Sequence, residues 1–470
     1  MILPLALSDY IALMPLLLIL ASSLMALISE LIAPKNQTLV AATTTVGFLT
    51  ALSFIACKNT SHHPLLTPWL SFDFLSSFFS LMFTLIGLFV LWISLPYFSK
   101  IGSSRAEFHF FIAAAVFGLM LIGSSNDFLT LFLGLEILSI SLYILCGYIK
   151  PFRLSHESAF KYFLLGSVST AFLLFGIALV YVATGSTSLQ TLSTHSLKGP
   201  EVVLFSLGIS FITLSFLFKA ALVPFHFWAP DVYTGASYPV TAFMAVGTKL
   251  GAFAAFIRVF MASPEQFSSL WNDTMAFFVY PSILYANFVA MRQNDLKRFF
   301  AYSGIVHAGF LLMGIASGGY KVTPTLLYYL TMYAAATLGA FAATSFLDKE
   351  GKDTTTEELK GLFTTSPVLA FVFTLCLLTL AGIPPTAGFF AKFYIFKAAF
   401  SAHYYGLVIV GLMMSVVAAY YYLRLISCMF LQREPLAKEE KAPTPAYVVS
   451  LSCVLFLVIL SIYPDLEFFG

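Results

Sequence analysis

The feature that most constrains this chain is the recurrence of apolar runs of about 20 residues along its whole length. A helix needs about that many apolar residues to cross the hydrocarbon core of a bilayer. Only 10% of the residues are charged, whereas soluble domains carry about 25%. A transmembrane β-barrel would instead show short segments of alternating polarity. The pattern therefore predicts an all-α, polytopic membrane protein.

Fourteen spans are predicted from these runs and from the prolines and glycines between them. Sixteen of the 24 Lys and Arg residues follow odd-numbered spans, and five lie on the other side. Because cytoplasmic loops are enriched in Lys and Arg, both termini are predicted on the periplasmic side. The longest polar connections, 348–366 and 431–445, are interpreted as solvated cytoplasmic loops, with partner docking as the alternative. The predicted spans are 10–32, 38–57, 73–95, 106–123, 127–147, 158–184, 201–224, 238–261, 274–291, 299–316, 325–347, 367–400, 404–430 and 445–464.

Four ionisable residues fall near the middle of predicted spans, where a charge costs about 2.5–3.5 kcal/mol. They are Glu136, Lys219, Lys249 and Lys392. Such residues usually mark ion pathways; a structural ion pair, or lysines snorkelling to the interface, is the alternative. A carboxylate beside a buried lysine favours the charged form of that lysine, so moving the carboxylate changes its proton affinity. We hypothesise that Glu136 opposite Lys219 is such a switch and that Lys249 and Lys392 are onward proton relays.

Two spans carry prolines that predict interrupted helices: Pro224 in the seventh, and Pro384 with Pro385 in the twelfth. A proline lacks a backbone donor and clashes with the carbonyl four residues before it. Freed carbonyls at membrane depth are tolerated only in the protein interior or along a wet cavity. The breaks are five spans apart, so the two helices run in opposite directions, which favours two inverted five-helix repeats over ordinary proline kinks. The predicted units are residues 1–105 (three helices), 106–262 (first repeat), 263–430 (second repeat) and 431–470 (a loop and the last helix).

Two histidines lie where they could pass protons near neutral pH. His226 comes two residues after Pro224, and His307 lies inside the predicted tenth span. A structural histidine bonded between helices is the alternative for each. The five cysteines are scattered without a C-x-x-C pair, which argues against an iron–sulfur site, structural zinc or a disulfide framework. No basic patch indicates nucleic-acid binding.

Several motifs together resemble one family. FLGLEILSISLYIL, ESAFKYFLLGS, KAALVPFHFW, NDLKRFFAYSGIVHAGFLL and LAGIPPTAGFFAKFYIF are similar to the subunit N family of bacterial NADH-quinone oxidoreductase (respiratory complex I). The resemblance covers roughly residues 70–430. It implies fourteen helices with discontinuous seventh and twelfth helices, and proton-channel roles for the residues at Glu136, Lys219, Lys249 and Lys392, with a looser match at His307.

The resemblance also implies a partner set and a location. NADH, FMN, iron–sulfur clusters and quinone are expected on partner subunits, with no cofactor or redox site in this chain. Other membrane-arm subunits and the lipid bilayer are the expected partners, in the bacterial inner membrane. A subunit of a multisubunit cation/proton antiporter or of a membrane-bound hydrogenase is the alternative, and a scaffold that only fills the membrane arm is a third.

Overall fold

The part of the chain that the structure describes is almost entirely helical. A computed structural model describes residues 7–34, 36–57, 65–101, 106–192, 197–262, 268–318, 322–345, 347, 355–431 and 444–469. The helices are α1 Leu7–Ile32, α2 Gln37–Ala56, α3 Phe74–Ile101, α4 Ala106–Ser124, α5 Phe128–Cys146, α6 Arg153–Thr184, α7 Leu189–Leu192, α8 Pro200–Lys219, α9 Trp228–Gly235, α10 Tyr238–Phe243, α11 Lys249–Met261, α12 Ser268–Ala290, α13 Leu296–Ala316, α14 Thr323–Thr344, α15 Leu362–Thr365, α16 Pro367–Ala381, α17 Ala387–Ser401, α18 Tyr405–Leu431 and α19 Thr444–Ile462.

The predicted all-α membrane architecture is confirmed. Within the described ranges, twelve helical segments are long and apolar enough to cross a bilayer. The predicted ninth span corresponds to α12, which is not among those twelve. The predicted twelfth span is divided between α16 and α17. The exact count of fourteen spans therefore stays a prediction.

Three segments form the centre of the bundle. The apolar windows of Tyr238–Phe260, α13 and α14 are completely buried. A helix that is hydrophobic on all sides is typical of such a position. By contrast, large apolar side chains on α1, α6, α18 and α19 are exposed, as expected for helices that face lipid. The central segments carry Lys249 and His307, so the bundle places these two groups far from its outer surface.

Both predicted helix breaks are confirmed. The helix α8 ends at Lys219, five residues before Pro224, and α9 begins only at Trp228. The helix α16 ends at Ala381, and α17 begins at Ala387 after the two prolines. The C-cap residue of α8, Ala220, lies four residues before Pro224, the position at which a proline clashes with the helix, and the chain turns at Ala220 and Ala221.

Other features differ from the predicted pattern. The helix α6 begins at Arg153, not at 158, because its polar first turns carry surface contacts such as the 2.8 Å ion pair between Lys161 and Glu157. A π-helical segment, Met244–Thr248, joins α10 to α11.

The polar connections predicted at 348–366 and 431–445 are described only in part, since 348–354 and 432–443 lie outside the described residues. The four-unit division stays a prediction.

An ion pair ties the N-terminal helices to the centre. Arg258 on α11 donates to both carboxylate oxygens of Asp73, which precedes α3, at 2.5 and 2.7 Å. The same guanidinium donates to the Gly123 carbonyl oxygen at the end of α4. Burial by itself would raise the pKa of Asp73, but the hydrogen bonds and charge of Arg258 outweigh it and lower that pKa to about 2. One residue therefore fixes α11 to the ends of α3 and α4.

Candidate functional site

Lys219 is the last residue of α8 and points into the protein. Its side chain is 5% exposed, and its Nζ donates to the Ser139 hydroxyl on α5 at 2.6 Å. That hydroxyl donates in turn to the carbonyl oxygen of Leu135, also at 2.6 Å. With its proton engaged by Leu135, the Ser139 oxygen presents a lone pair to the ammonium.

Glu136 lies one helical turn from Ser139 on the same helix, and its carboxylate has a different partner. Its Oε1 accepts a 2.7 Å hydrogen bond from the Thr170 hydroxyl on α6. The carboxylate also lines a cavity of about 420 Å³ between α5 and α6, with Thr170, Ser167 and Tyr143 as its other polar neighbours. Glu136 and Lys219 are thus near each other but are each bonded to a hydroxyl.

The first break leaves backbone groups that side chains satisfy. The carbonyl oxygen of Phe218, at the end of α8, accepts a 2.9 Å bond from the indole nitrogen of Trp228 and a 3.0 Å bond from the Ala221 amide. The Val223 amide donates to the Ser282 hydroxyl on α12 at 3.1 Å. Ala221 has φ +58°, a left-handed conformation that strains a residue other than glycine. Such strain persists only where surrounding contacts maintain it.

Lys249 begins α11 directly after the π-helical segment. Single π-helical turns are frequent at functional sites. The Lys249 side chain is 1% exposed, and its Nζ donates to the Tyr233 hydroxyl at 3.1 Å. A methyl group at Gly304 on α13 would lie 2.8 Å from this Nζ and 2.9 Å from the Tyr333 hydroxyl. The ammonium therefore occupies space that the missing side chain of Gly304 provides.

His307 lies on α13 between two tyrosines. Its Nδ1 is 2.8 Å from the Tyr329 hydroxyl, and its Nε2 is 3.2 Å from the Tyr422 hydroxyl. The Tyr422 hydroxyl is also 2.5 Å from the Ser303 hydroxyl. The imidazole is therefore part of a hydrogen-bonded chain of groups that can each donate and accept a proton.

One face of α13 connects the second and third buried lysines. Gly304, His307 and Phe310 recur at steps of three residues, which places them on one side of a helix. Gly304 contacts Lys249, as described above, and the Nζ of Lys392 lies 5.3 Å from the centre of the Phe310 ring. His307 occupies the position between these two contacts.

Lys392 on α17 completes the second break. Its side chain is 4% exposed, and its Nζ donates to the Ala381 carbonyl oxygen at the end of α16 at 2.7 Å. Gly382 follows with φ +79°, a conformation that favours glycine. A cation at a helix C-terminus is stabilised by the helix dipole. The second break is thus closed by a titratable group, whereas the first is closed by an indole.

His226 packs among aromatic side chains. Its ring packs against Phe227 and against Tyr285 on α12, with ring centres 4.4 and 4.8 Å away. Among the described residues, its nitrogens make no hydrogen bond to a lysine. The predicted relay role of His226 therefore stays a prediction that the contacts do not strengthen.

Sequence reasoning missed the neutral partners of these groups. Hydroxyl and phenol side chains are common in membrane helices, and nothing in the local pattern distinguishes those that contact a charge. The one weak signal for Ser139 and Thr170 is that both lie within 106–262, the range predicted as the first repeat. The residues missed are Ser139, Thr170, Tyr233, Ser303, Tyr329 and Tyr422.

Comparison with known proteins identifies the family of this chain. Residues 125–418 match the family described as NADH:quinone oxidoreductase/Mrp antiporter, TM. NADH-quinone oxidoreductase subunit N of Protochlamydia amoebophila is 48% identical over 98% of this chain and 97% of its own length. This chain belongs to the subunit N family. Subunit N of Moorella thermoacetica is a further relative, 38% identical over 83% of each chain.

Two solved structures are similar to this chain over nearly its whole length. A chain of respiratory complex I from Thermus thermophilus has a TM-score of 0.82 and 32% identity, covering 96% of this chain and 97% of its own. A chain of the Mrp complex from Dietzia has the same TM-score, 0.82, at 17% identity over 97% of this chain and 95% of its own. That second likeness shows a shared fold alone.

Proposed function

We propose that this subunit N family member translocates protons through the membrane arm of NADH-quinone oxidoreductase. Proton movement would be driven at a distance by NADH oxidation and quinone reduction, with NADH, FMN, iron–sulfur clusters and quinone on partner subunits. Other membrane-arm subunits are the proposed partners. The proposed location is the bacterial inner membrane with both termini on the periplasmic side, supported by the uneven distribution of Lys and Arg.

The observation that carries this proposal is the set of buried titratable side chains inside the bundle. Lys219, Lys249, His307 and Lys392 are each less than 6% exposed, and each has a polar partner within 3.2 Å. Ionisable groups inside a membrane protein are costly and persist mainly along ion pathways. Two of these lysines lie beside broken helices, which are tolerated at membrane depth only in the protein interior or along a water-filled cavity.

Each group has a proposed role. Glu136 is the switch whose position changes the proton affinity of Lys219. Lys249 and His307 relay the proton through the centre, and Lys392 is the group nearest the periplasmic exit. All proposed steps are proton transfers between side chains.

The test is proton pumping by the assembled complex. In inverted membrane vesicles, Lys219→Ala and Lys392→Ala should reduce both NADH-driven acidification and quinone reductase activity while the complex still assembles. Lys397 lies on the same helix as Lys392 but is exposed, so Lys397→Ala is the matched control. Normal acidification in either buried-lysine variant contradicts the proposal, and native mass spectrometry of the complex identifies its partner subunits.

A further inference from the structure

Lys219 and Glu136 are each hydrogen-bonded to a hydroxyl group on a different helix. Lys219, from α8, is bonded to Ser139 of α5 at 2.6 Å. Glu136, from α5, is bonded to Thr170 of α6 at 2.7 Å. Each charged group is therefore held by a neutral hydroxyl on the opposing side, although opposite charges attract strongly in a medium of low dielectric constant.

The three helices that carry these groups, α5, α6 and α8, belong together with α4 to two closely packed helix pairs. At Gly118 and Gly134, α4 and α5 approach so closely that a methyl group on either would lie 2.7 or 2.8 Å from the carbonyl oxygen of the other. At Gly176 and Gly208, α6 and α8 approach in the same way, with distances of 2.6 and 2.8 Å. Glu136 and Ser139 thus belong to one pair, and Thr170 and Lys219 to the other.

The α6–α8 pair has a second polar link near Lys219. The Ser169 hydroxyl on α6 lies 2.9 Å from the Ser215 hydroxyl, one turn before Lys219 on α8. Between the two pairs, by contrast, the cavity of about 420 Å³ adjoins the Glu136 carboxylate and Thr170. Free space therefore adjoins the carboxylate at the Thr170 end of this arrangement, whereas Ser139 and Lys219 do not line the cavity.

We propose that Ser139 and Thr170 are positioning residues that hold Lys219 and Glu136 apart, and that the switch exchanges these two hydrogen bonds for a direct Glu136–Lys219 ion pair. Glu136 and Ser139 are three residues apart, so they share a face of α5. A change of side-chain rotamers at Glu136 and Lys219, with the contact between α4 and α5 at Gly118 and Gly134 unchanged, would bring the carboxylate to the ammonium in place of Ser139. This inference rests on the proposed proton translocation and adds the contacts that control its first step.

The first test compares two serines on α5 in the assembled complex. Ser139→Ala removes the oxygen that accepts from Lys219. The control is Ser141→Ala, because the Ser141 hydroxyl donates to the Ile137 carbonyl oxygen of its own helix at 2.7 Å. We expect Ser139→Ala to lower NADH-driven acidification about tenfold, the scale of one charge-assisted hydrogen bond, and Ser141→Ala to leave it near wild type. Equal rates in the two variants overturn the proposal.

Rescue at Thr170 and a double-mutant cycle separate positioning from packing. Thr170→Ser keeps the hydroxyl and should retain activity, whereas Thr170→Val keeps the shape and should lose it. When Glu136 is already replaced by Gln, the pair cannot form and Ser139→Ala should add little further loss. The proposal is overturned if Ser139→Ala has its full effect in the Glu136→Gln background. It is also overturned if Thr170→Ser and Thr170→Val have equal rates. If Glu136→Gln has no measurable rate, the Thr170 comparison alone decides.

The two proposals fail in different ways. Normal acidification in Lys219→Ala and Lys392→Ala removes the proton pathway itself. If acidification is impaired in those variants but Ser139→Ala and Ser141→Ala have equal acidification rates, only the proposed control of the Glu136–Lys219 ion pair by hydroxyl groups is contradicted.

Discussion

The Nζ of Lys392 lies 2.7 Å from the carbonyl oxygen of Ala381, the residue at which α16 ends. The second helix break is therefore closed by an ammonium group. The partner carbonyl belongs to a backbone segment that the prolines at 384 and 385 prevent from continuing as helix. A proton on Lys392 is thus coupled directly to the polar end of a broken helix.

Replacing Lys392 with methionine keeps the length of the side chain but removes the titratable group and the donor. We expect NADH-driven acidification to fall at least tenfold, because a positioned acid–base group typically contributes about 10²–10⁴-fold. Fluorescence quenching of an acridine dye in inverted vesicles measures this. The exposed Lys397→Met on the same helix is the control, and equal acidification in both variants contradicts the role of Lys392.

Gly304→Ala tests the space around Lys249. Alanine is a better helix former than glycine by about 1 kcal/mol, so α13 itself should not be weakened. The added methyl group would lie 2.8 Å from the Lys249 Nζ and should displace it from Tyr233, reducing acidification severalfold with normal assembly. Gly247→Ala is the control, because its methyl group would have only ordinary contacts of 3.4 Å. Wild-type acidification in Gly304→Ala would show that the position of Lys249 does not matter.

Tyr422→Phe tests the hydrogen-bonded chain at His307. The substitution removes the hydroxyl that contacts both the His307 Nε2 and the Ser303 hydroxyl while keeping the ring. We expect acidification to fall severalfold, since the imidazole loses one of its two proton-exchanging partners. The neighbouring Tyr421 hydroxyl bonds Asn287 on α12, so Tyr421→Phe should have the smaller effect. The reverse order of the two rates would argue against this path.

Asp73→Asn tests the ion pair with Arg258. Loss of a charged hydrogen-bond partner should destabilise the complex by about 1.5–3 kcal/mol, with solvent exposure of Asp73 favouring the lower end. The pKa of Asp73 is lowered from 3.8 to about 2. The stabilising contribution is therefore fully present above the unfolded-state value of 3.8 and is lost as pH falls toward 2.

The pH dependence of this difference is measurable by thermal unfolding of the purified complex. Between pH 5 and pH 8, a range chosen above both pKa values of Asp73, the difference between wild type and Asp73→Asn should be constant. A difference that shrinks across that range would mean that another titrating group controls the contact.

Much of the fold could be predicted from the sequence because its cause is local. The bilayer requires about 20 apolar residues per helix, and Pro224, Pro384 and Pro385 interrupt helices whatever surrounds them. The positions of Lys219 and Lys392 beside those breaks follow from the same short segments. The π-helical segment before Lys249 was not predictable, because packing against neighbouring helices decides it.

What the sequence by itself determined is the kind of protein: apolar spans, two broken helices and four ionisable residues at membrane depth. What only the tertiary structure decided is the partner of each charge. Ser139 and Lys219 are 80 residues apart in the chain, and Glu136 and Thr170 are 34 apart. Contacts between such distant residues depend on how whole helices pack, and a hydroxyl side chain carries no local pattern that identifies the charge it will meet.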